Sequence, residues 1–202
     1  VCIPLRKTLN WNKPVVFLLH YKNVNIKTIH MLDIIKVIVM SLDIIMIECD
    51  NLAVAGAKAV EDLKDLSLTH MLQVTPSNAK KIFTCFQNAY PIRTKVAHFV
   101  NPPSFFKYFY ALLKPFMGKK LKERIKLHDG KEMKEIYNDI PCSVLPIEYG
   151  GEDGSINDMA AEWKKKVESY RDWFLDDAKY CSDESRRCQD SSWSLWRTLF
   201  GN

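Results

Sequence analysis

With 202 residues, 47% of them hydrophobic and 26% charged, the chain has apolar material for one substantial domain with a tail, which excludes wholesale disorder. A formal charge of +5 permits an acidic partner, such as a membrane surface or phosphates, without requiring one.

Residues 1 to 13 show no strong pattern, and PVVFLLHY (14 to 21) follows as a β-branched apolar run that predicts a buried strand. From about Thr28 to Glu48 the chain is apolar nearly all round, which predicts a helix packed on both sides. Its longest apolar run, 34 to 47, is broken by Lys36 and Asp43 and is too short to span a bilayer. AVAGAKAVEDL (53 to 63) reads as a second strand with Gly56 inside it. LSLTHMLQVTP is a short amphipathic element, and Thr75-Pro76-Ser77 starts a helix that carries Ala79, Ile82, Phe83 and Phe86 at helical spacing and stops at Pro91.

RTKVAHFVN (93 to 101) is a third strand, ended by Pro102-Pro103. SFFKYFYALLKPFMGKKLKERI (104 to 125) is the next helix, bent or weakened at Pro115 and ended at Gly118. IKLHD (125 to 129) is a further short strand, residues 131 to 137 make a helical turn or two, and PCSVLPIEYGGEDGS is a turn-rich exit. Ser155 caps an amphipathic helix with Ile156, Met159, Trp163, Val167 and Tyr170 on one stripe. After Asp177 a polar, mobile tail is expected, ending in SSWSLWRTLFGN. Strands alternating with helices argue for an α/β fold with a largely parallel sheet.

Catalytic signatures are missing: no G-x-G-x-x-G, P-loop, G-x-S-x-G or H-E-x-x-H occurs. The five histidines, His20, His30, His70, His98 and His128, are dispersed without ligand spacing, and Glu61 and Asp62 point to opposite sides of a strand. No catalytic residue, metal or cofactor is expected. Cys2, Cys49, Cys85, Cys142, Cys181 and Cys188 form no C-x-x-C pair, and only Cys181 and Cys188 are placed to bridge; a reducing, cytosolic setting is expected. The first residues lack the layout of a signal peptide, and upstream sequence is expected to be missing.

Residues 104 to 125 join aromatics to cations. Wound as a helix, they set Phe105, Phe109, Leu112, Leu113 and Phe116 on one side, leaving Phe106 and Tyr110 outside the stripe. Two readings follow: a core helix with leaking aromatics, or a movable cover that is apolar toward a ligand and apolar toward lipid. Arg93 and Lys95 share a face of an alternating strand, and Lys120 and Arg124 share a face of a helical turn. If these pairs converge, four cations surround one point suited to a polyanionic headgroup.

VAGAKAVEDL (54 to 63), LTHMLQVTPSNAKKI (68 to 82), QNAYPIRTKVAHFVNPPSFF (87 to 106), KPFMGKKLKERIKLH (114 to 128) and LPIEYGGEDGS (145 to 155) together resemble the CRAL-TRIO lipid-binding family. The likeness is to its branch of tocopherol-transfer, retinaldehyde-binding and clavesin-like members. It implies a mostly parallel sheet flooring a hydrophobic pocket, with a helical gate over residues 104 to 124. By position, the pocket walls would include Ala57, Glu61, Ile82, Phe86, Ala97, Phe106, Phe109 and Leu113. A phosphoinositide headgroup would be bound by Arg93, Lys95, Lys120 and Arg124. The implied layout is a linker or remnant of a helical domain at 1–13, the lipid-binding domain at 14–152, a helix at 153–178 and the tail at 179–202.

Two residues depart from the family pattern. Glu61 stands where an apolar pocket residue is typical, so either the ligand carries a polar group or Glu61 pairs with Lys58 or another partner. Asp65 stands where a glycine usually follows the strand, which predicts a strained or rearranged turn. The reading is a non-enzymatic, cytoplasmic, monomeric carrier of one tocopherol, retinoid, carotenoid, sterol or phospholipid, released on transient contact with phosphoinositide membranes. The alternative is a lipid-sensing adaptor whose WSLWRTLF tail binds a protein.

Overall fold

The computed structural model describes residues 2–10, 12–22, 24–25, 28–128 and 134–186. The chain divides into a unit of residues 1–168 and a second unit of residues 169–202.

The first unit is built on five strands: β1 (Cys2–Pro4), β2 (Val15–His20), β3 (Ala57–Asp62), β4 (Thr94–Val100) and β5 (Ile125–His128), in spatial order β1-β2-β3-β4-β5. β1 runs antiparallel to β2, and the other three pairings are parallel. Each parallel step needs a crossover. β2 reaches β3 through α1 (Met31–Glu48) and α2 (Asp50–Val54), and β3 reaches β4 through α3 (Leu68–Leu72) and α4 (Pro76–Thr84) with a π-turn at Cys85–Ala89. β4 reaches β5 through α5 (Phe106–Leu113), a 3-10 turn at Lys114–Phe116, and α6 (Lys119–Arg124). Strands laid down in sequence order, with crossovers of one hand, put all connecting helices on one side of the sheet. The opposite side is left for the segments after β5: α7 (Lys134–Asp139), 3-10 turns at Cys142–Val144 and Ile147–Tyr149, and α8 (Ile156–Ser169).

Local signals start these helices where the chain must turn. His30 caps α1 through a reciprocal box: its imidazole accepts from the Leu32 N–H at 3.2 Å, and Asp33 Oδ2 accepts from the His30 N–H at 3.1 Å. Thr75 caps α4, with Pro76 as its first residue. The second unit contributes α9 (Arg171–Asp177), where the Trp173 ring stands edge-on to Phe174 with centroids 5.1 Å apart.

Several expectations need revision. Gly56 lies just before β3 rather than inside a strand, with φ 89°, because α2 occupies the start of the predicted run. In the span expected to be a linker, Cys2–Pro4 is the antiparallel edge strand. Arg6 behind it reaches Asp153, with Nε 3.2 Å from Oδ1 and Nη2 donating to the backbone oxygen at 2.9 Å. Of the two outcomes expected at Asp65, a strained positive φ does not occur: Leu66 N–H donates to Leu63 C=O at 3.0 Å, and among the described residues the non-glycine one of positive φ is Asn101. Residues 129–133 and the tail beyond residue 186, including its tryptophans and Cys188, lie outside the described residues. Among the described residues no helix is long and apolar enough to cross a membrane.

Candidate functional site

Strand register gives the sheet two unlike faces. Phe17–Ala59–Ala97–Ile125 and Leu19–Glu61–Phe99–Leu127 form rows on the side of the connecting helices, while Leu18–Val60–His98–Lys126 forms a row on the other. The second face is sealed: Val16, Leu18, Val60 and Val100 pack against Ile136, Ile140, Leu145 and Met159. On the first face Leu19, Ala59, Glu61, Ala97 and Phe99 stay partly exposed. Alanines in two adjacent strands leave room at its centre. Around that tract stand Ile34 and Ile38 of α1, Phe83 of α4, Phe86 of the π-turn, and Phe109 and Leu113 of α5.

The residues expected in the pocket differ in where the structure puts them. Ala97 and Glu61 lie on the floor, and Phe86, Phe109 and Leu113 are partly buried beside it. Ala57 is buried at the end of the floor near α1, and Ile82 is partly exposed on α4. Phe106 is 5% exposed and stacks on Tyr110 with ring centroids 6.2 Å apart. The helical stripe drawn from sequence is therefore rotated. α5 begins at Phe106, and its inward side is Phe106, Phe109, Tyr110 and Leu113. Leu112, expected inward, is 56% exposed beside Tyr108 at 70%. The segment thus has an apolar underside and an apolar outer stripe.

The bend expected at Pro115 is a 3-10 turn that ends α5, and α6 starts again after Gly118, so residues 106 to 124 form two helices.

Glu61 meets Tyr21, whose hydroxyl donates to its carboxylate. Burial pushes the Glu61 carboxyl up to about 7, and the Tyr21 bond works against that rise. Tyr21 itself is pushed well up, by burial first and by the neighbouring carboxylate second. Lys58, one proposed partner, points to the sealed face and donates to the Asp139 carbonyl. The floor therefore holds one partly buried acid with a phenol at its side.

Arg93, Lys120 and Arg124 line a shallow depression of about 360 Å³ together with Tyr90, Pro91, Ile92 and Ala53. Lys95 is exposed and is not among the residues that line it. A register shift where β3 pairs with β4 puts Ala57 opposite Thr94 and Lys58 opposite Val96, so Lys95 is bulged and the simple alternation of Arg93 and Lys95 is lost. Arg93 is held by backbone contact: its carbonyl accepts from the Ala57 N–H at 2.9 Å. A Cβ on Gly56 would lie 2.2 Å from that oxygen, so the glycine is required both for its φ and for this approach.

Two features escaped the sequence. His98 and His128 come together through the β4–β5 pairing, with Nδ1 of His98 2.9 Å from Nε2 of His128 and the rings stacked. Asp139 lies 3.2 Å from His98 Nε2, and Glu135 lies 3.1 Å from His128 Nδ1. Burial pulls His98 down to about 4. The dispersal of histidines along the chain gave no hint of this pair; only the parallel register reveals it. The second feature is a polar cleft of about 600 Å³ at the carboxyl ends of β2 to β5, lined by residues that include His20, Lys22, Asp62, Asn101 and Tyr149. It is distinct in chemistry from the apolar tract, and Asp62 within it already accepts from Tyr149 Oη at 2.7 Å and Asn101 Nδ2 at 2.9 Å.

Residues 5–151 match the family described as CRAL/TRIO domain. The alpha-tocopherol transfer protein-like protein of Homo sapiens is 34% identical over 130 residues, covering 64% of this chain and 37% of its own length. Clavesin-1 of Rattus norvegicus is 34% identical over 119 residues, covering 59% of this chain and 33% of its own. The chain thus spans little more than a third of the curated relatives it matches. The crystal structure of Sfh5 superposes with a TM-score of 0.51 at 21% identity, over 79% of this chain and 57% of that one, a likeness of fold.

Proposed function

The chain belongs to the CRAL/TRIO domain family, and from that premise we propose that it carries one hydrophobic lipid on the gated face of its sheet and releases it at phosphoinositide-containing membranes. The observation that carries this reading is the unequal closure of one sheet. The side roofed by α5 keeps a small-residue, partly exposed apolar floor, whereas the other side is sealed core. A lipid laid on that floor gains about 25 cal/mol for each Å² of apolar surface removed from water, so water alone does not release it.

Release requires a surface that favours the open gate over the closed one. Arg93, Lys120 and Arg124 supply attraction for an anionic headgroup, with exposed Lys95 adding to the field. Tyr108 and Leu112 on the outer stripe of α5 supply apolar anchors for the bilayer. The protein works as a cytoplasmic monomer that meets membranes transiently and makes or breaks no covalent bond. Glu61, with Tyr21 beside it, favours a cargo that carries one hydrogen-bonding group over a plain hydrocarbon. Relatives named for tocopherol transfer fit that description.

The test is charge reversal, Lys120→Glu with Arg124→Glu, read by co-sedimentation with phosphatidylcholine vesicles with and without a phosphoinositide. Binding to the phosphoinositide vesicles is expected to fall at least tenfold, with no change on phosphatidylcholine alone. Equal binding by wild type and double variant would remove the headgroup site from the mechanism.

A further inference from the structure

The break between α5 and α6 is bridged by a side chain from a different element. Breaking the helix at Pro115 leaves the Phe116 carbonyl and the Gly118 N–H outside the regular helical bonding pattern. Both groups are taken by Gln87. Its Oε1 accepts from the Gly118 N–H at 2.6 Å, and its Nε2 donates to the Phe116 carbonyl at 3.1 Å. The same Nε2 donates to the Phe83 carbonyl at 2.9 Å, one turn back on its own helix, which fixes the amide's orientation.

Gln87 sits in the middle of the π-turn at Cys85–Ala89, a local widening of the helix of the kind that recurs at functional positions. Gly118 supplies an independent sign of the contact. Its φ of −66° and ψ of 158° suit any residue, so the backbone makes no demand for glycine there. A Cβ at that position would lie 3.0 Å from Gln87 Oε1, so a side chain there would crowd the amide and make it give way by a few tenths of an ångström.

We infer that Gln87 is a positioning residue that latches the gate segment closed, an inference that rests on the carrier reading for its consequence. In the closed state one amide satisfies two backbone groups of the hinge; in the open state water satisfies them, and the connection to α4 is lost. Lys120 and Arg124 lie on α6, which begins one residue after the latched Gly118. Headgroup docking at α6 therefore acts on the segment that Gln87 holds, and the latch couples membrane contact to release.

The experiment uses the full 202-residue chain loaded with a fluorophore-labelled tocopherol. Its transfer is followed into vesicles of phosphatidylcholine alone and of phosphatidylcholine with a phosphoinositide. Gln87→Leu is expected to speed release into neutral vesicles about tenfold, the loss of one to two ordinary hydrogen bonds. It should also shrink the acceleration given by phosphoinositide, because the step that lipid promotes has already been taken. Release at the wild-type rate overturns the latch, and so does faster release with undiminished phosphoinositide acceleration, which marks a merely loosened fold. Gly118→Ala, whose backbone is unstrained, replaces Gln87→Leu if that variant does not fold. If wild type takes up no labelled lipid, the carrier reading fails and amide hydrogen exchange decides the latch by itself. Protection of the Gly118 N–H in wild type and its loss in Gln87→Leu uphold the latch; an equally exposed Gly118 in both overturns it.

Discussion

Ala59 and Val60 are neighbours on β3, yet they belong to different parts of the molecule. Val60 is fully buried among thirteen core residues that include side chains of α7 and α8, while Ala59 faces a partly open tract under α5. The difference arises from connectivity. Crossover helices must span from strand end to strand start and leave gaps between one another, whereas the chain after β5 is free to wrap the opposite face closely. A sheet of this topology has a stable side and a side with room, and binding belongs where packing is incomplete.

Substitutions on the two faces should therefore have opposite consequences. Ala59→Phe, filling the floor, is expected to abolish uptake of co-purifying lipid, read by native mass spectrometry, with little loss of stability. Leu18→Ala on the sealed face should cost about 2–5 kcal/mol in urea unfolding and leave uptake intact while the chain stays folded. Equal destabilisation by both would mean that the face under the crossover helices is ordinary core.

Each face also holds a titratable group, and the signs oppose. The Glu61 carboxyl is raised from 4.5 to about 7 on the face under the crossover helices. The folded chain thus keeps a proton that the unfolded chain releases, and stability falls as pH rises from about 4.5 to 7. The His98 imidazole is lowered from 6.5 to about 4 on the sealed face. There the unfolded chain binds a proton that the folded chain refuses, and stability rises between about pH 4 and 6.5. Each slope amounts to about 3 kcal/mol at 1.36 kcal/mol per unit, and in wild type they nearly cancel. Unfolding profiles of Glu61→Gln should climb with pH, and those of His98→Gln should decline; two flat profiles would show that neither group is buried as described.

A smaller effect isolates the phenol. Tyr21→Phe removes the bond that opposes the rise at Glu61. It is expected to extend the declining limb to higher pH and to cost about 1 kcal/mol at neutral pH. An unchanged limb would place the Glu61 carboxyl in contact with water instead.

Much of the scaffold was legible because its signals are local. A continuous apolar run marks β2, an alternating one marks β4, Thr75-Pro76 marks a helix start, and Pro115 with Gly118 marks the break between α5 and α6. What sequence misplaced depends on phase or on distance. The stripe on α5 was rotated because its aromatics offer two helical stripes, and packing of Phe106 and Tyr110 into the core, which periodicity does not encode, decides between them. For Glu61 only Lys58, close in sequence, could be named as a partner, while Tyr21, its neighbour in the structure, comes from one strand away. Gln87 and the His98–His128 pair are meetings across 29 to 31 residues that no periodicity encodes. Of the four cations, the three brought to one depression were recoverable from spacing on α6 and the start of β4; the bulge that displaces Lys95 was not.

β1 has a bearing on how this domain can be cut. It lies before residue 5, where the family match begins, and it is the partner that covers the outer edge of β2. That strand reads VVFLLH, five apolar residues and a histidine with no formal charge among them. A protein trimmed to the matched span would offer this edge, unpaired, to another copy of itself, the pairing that seeds cross-β aggregates. The three residues Cys2–Pro4, fastened behind by Arg6 on Asp153, thus act as a guard on the solubility of everything that follows.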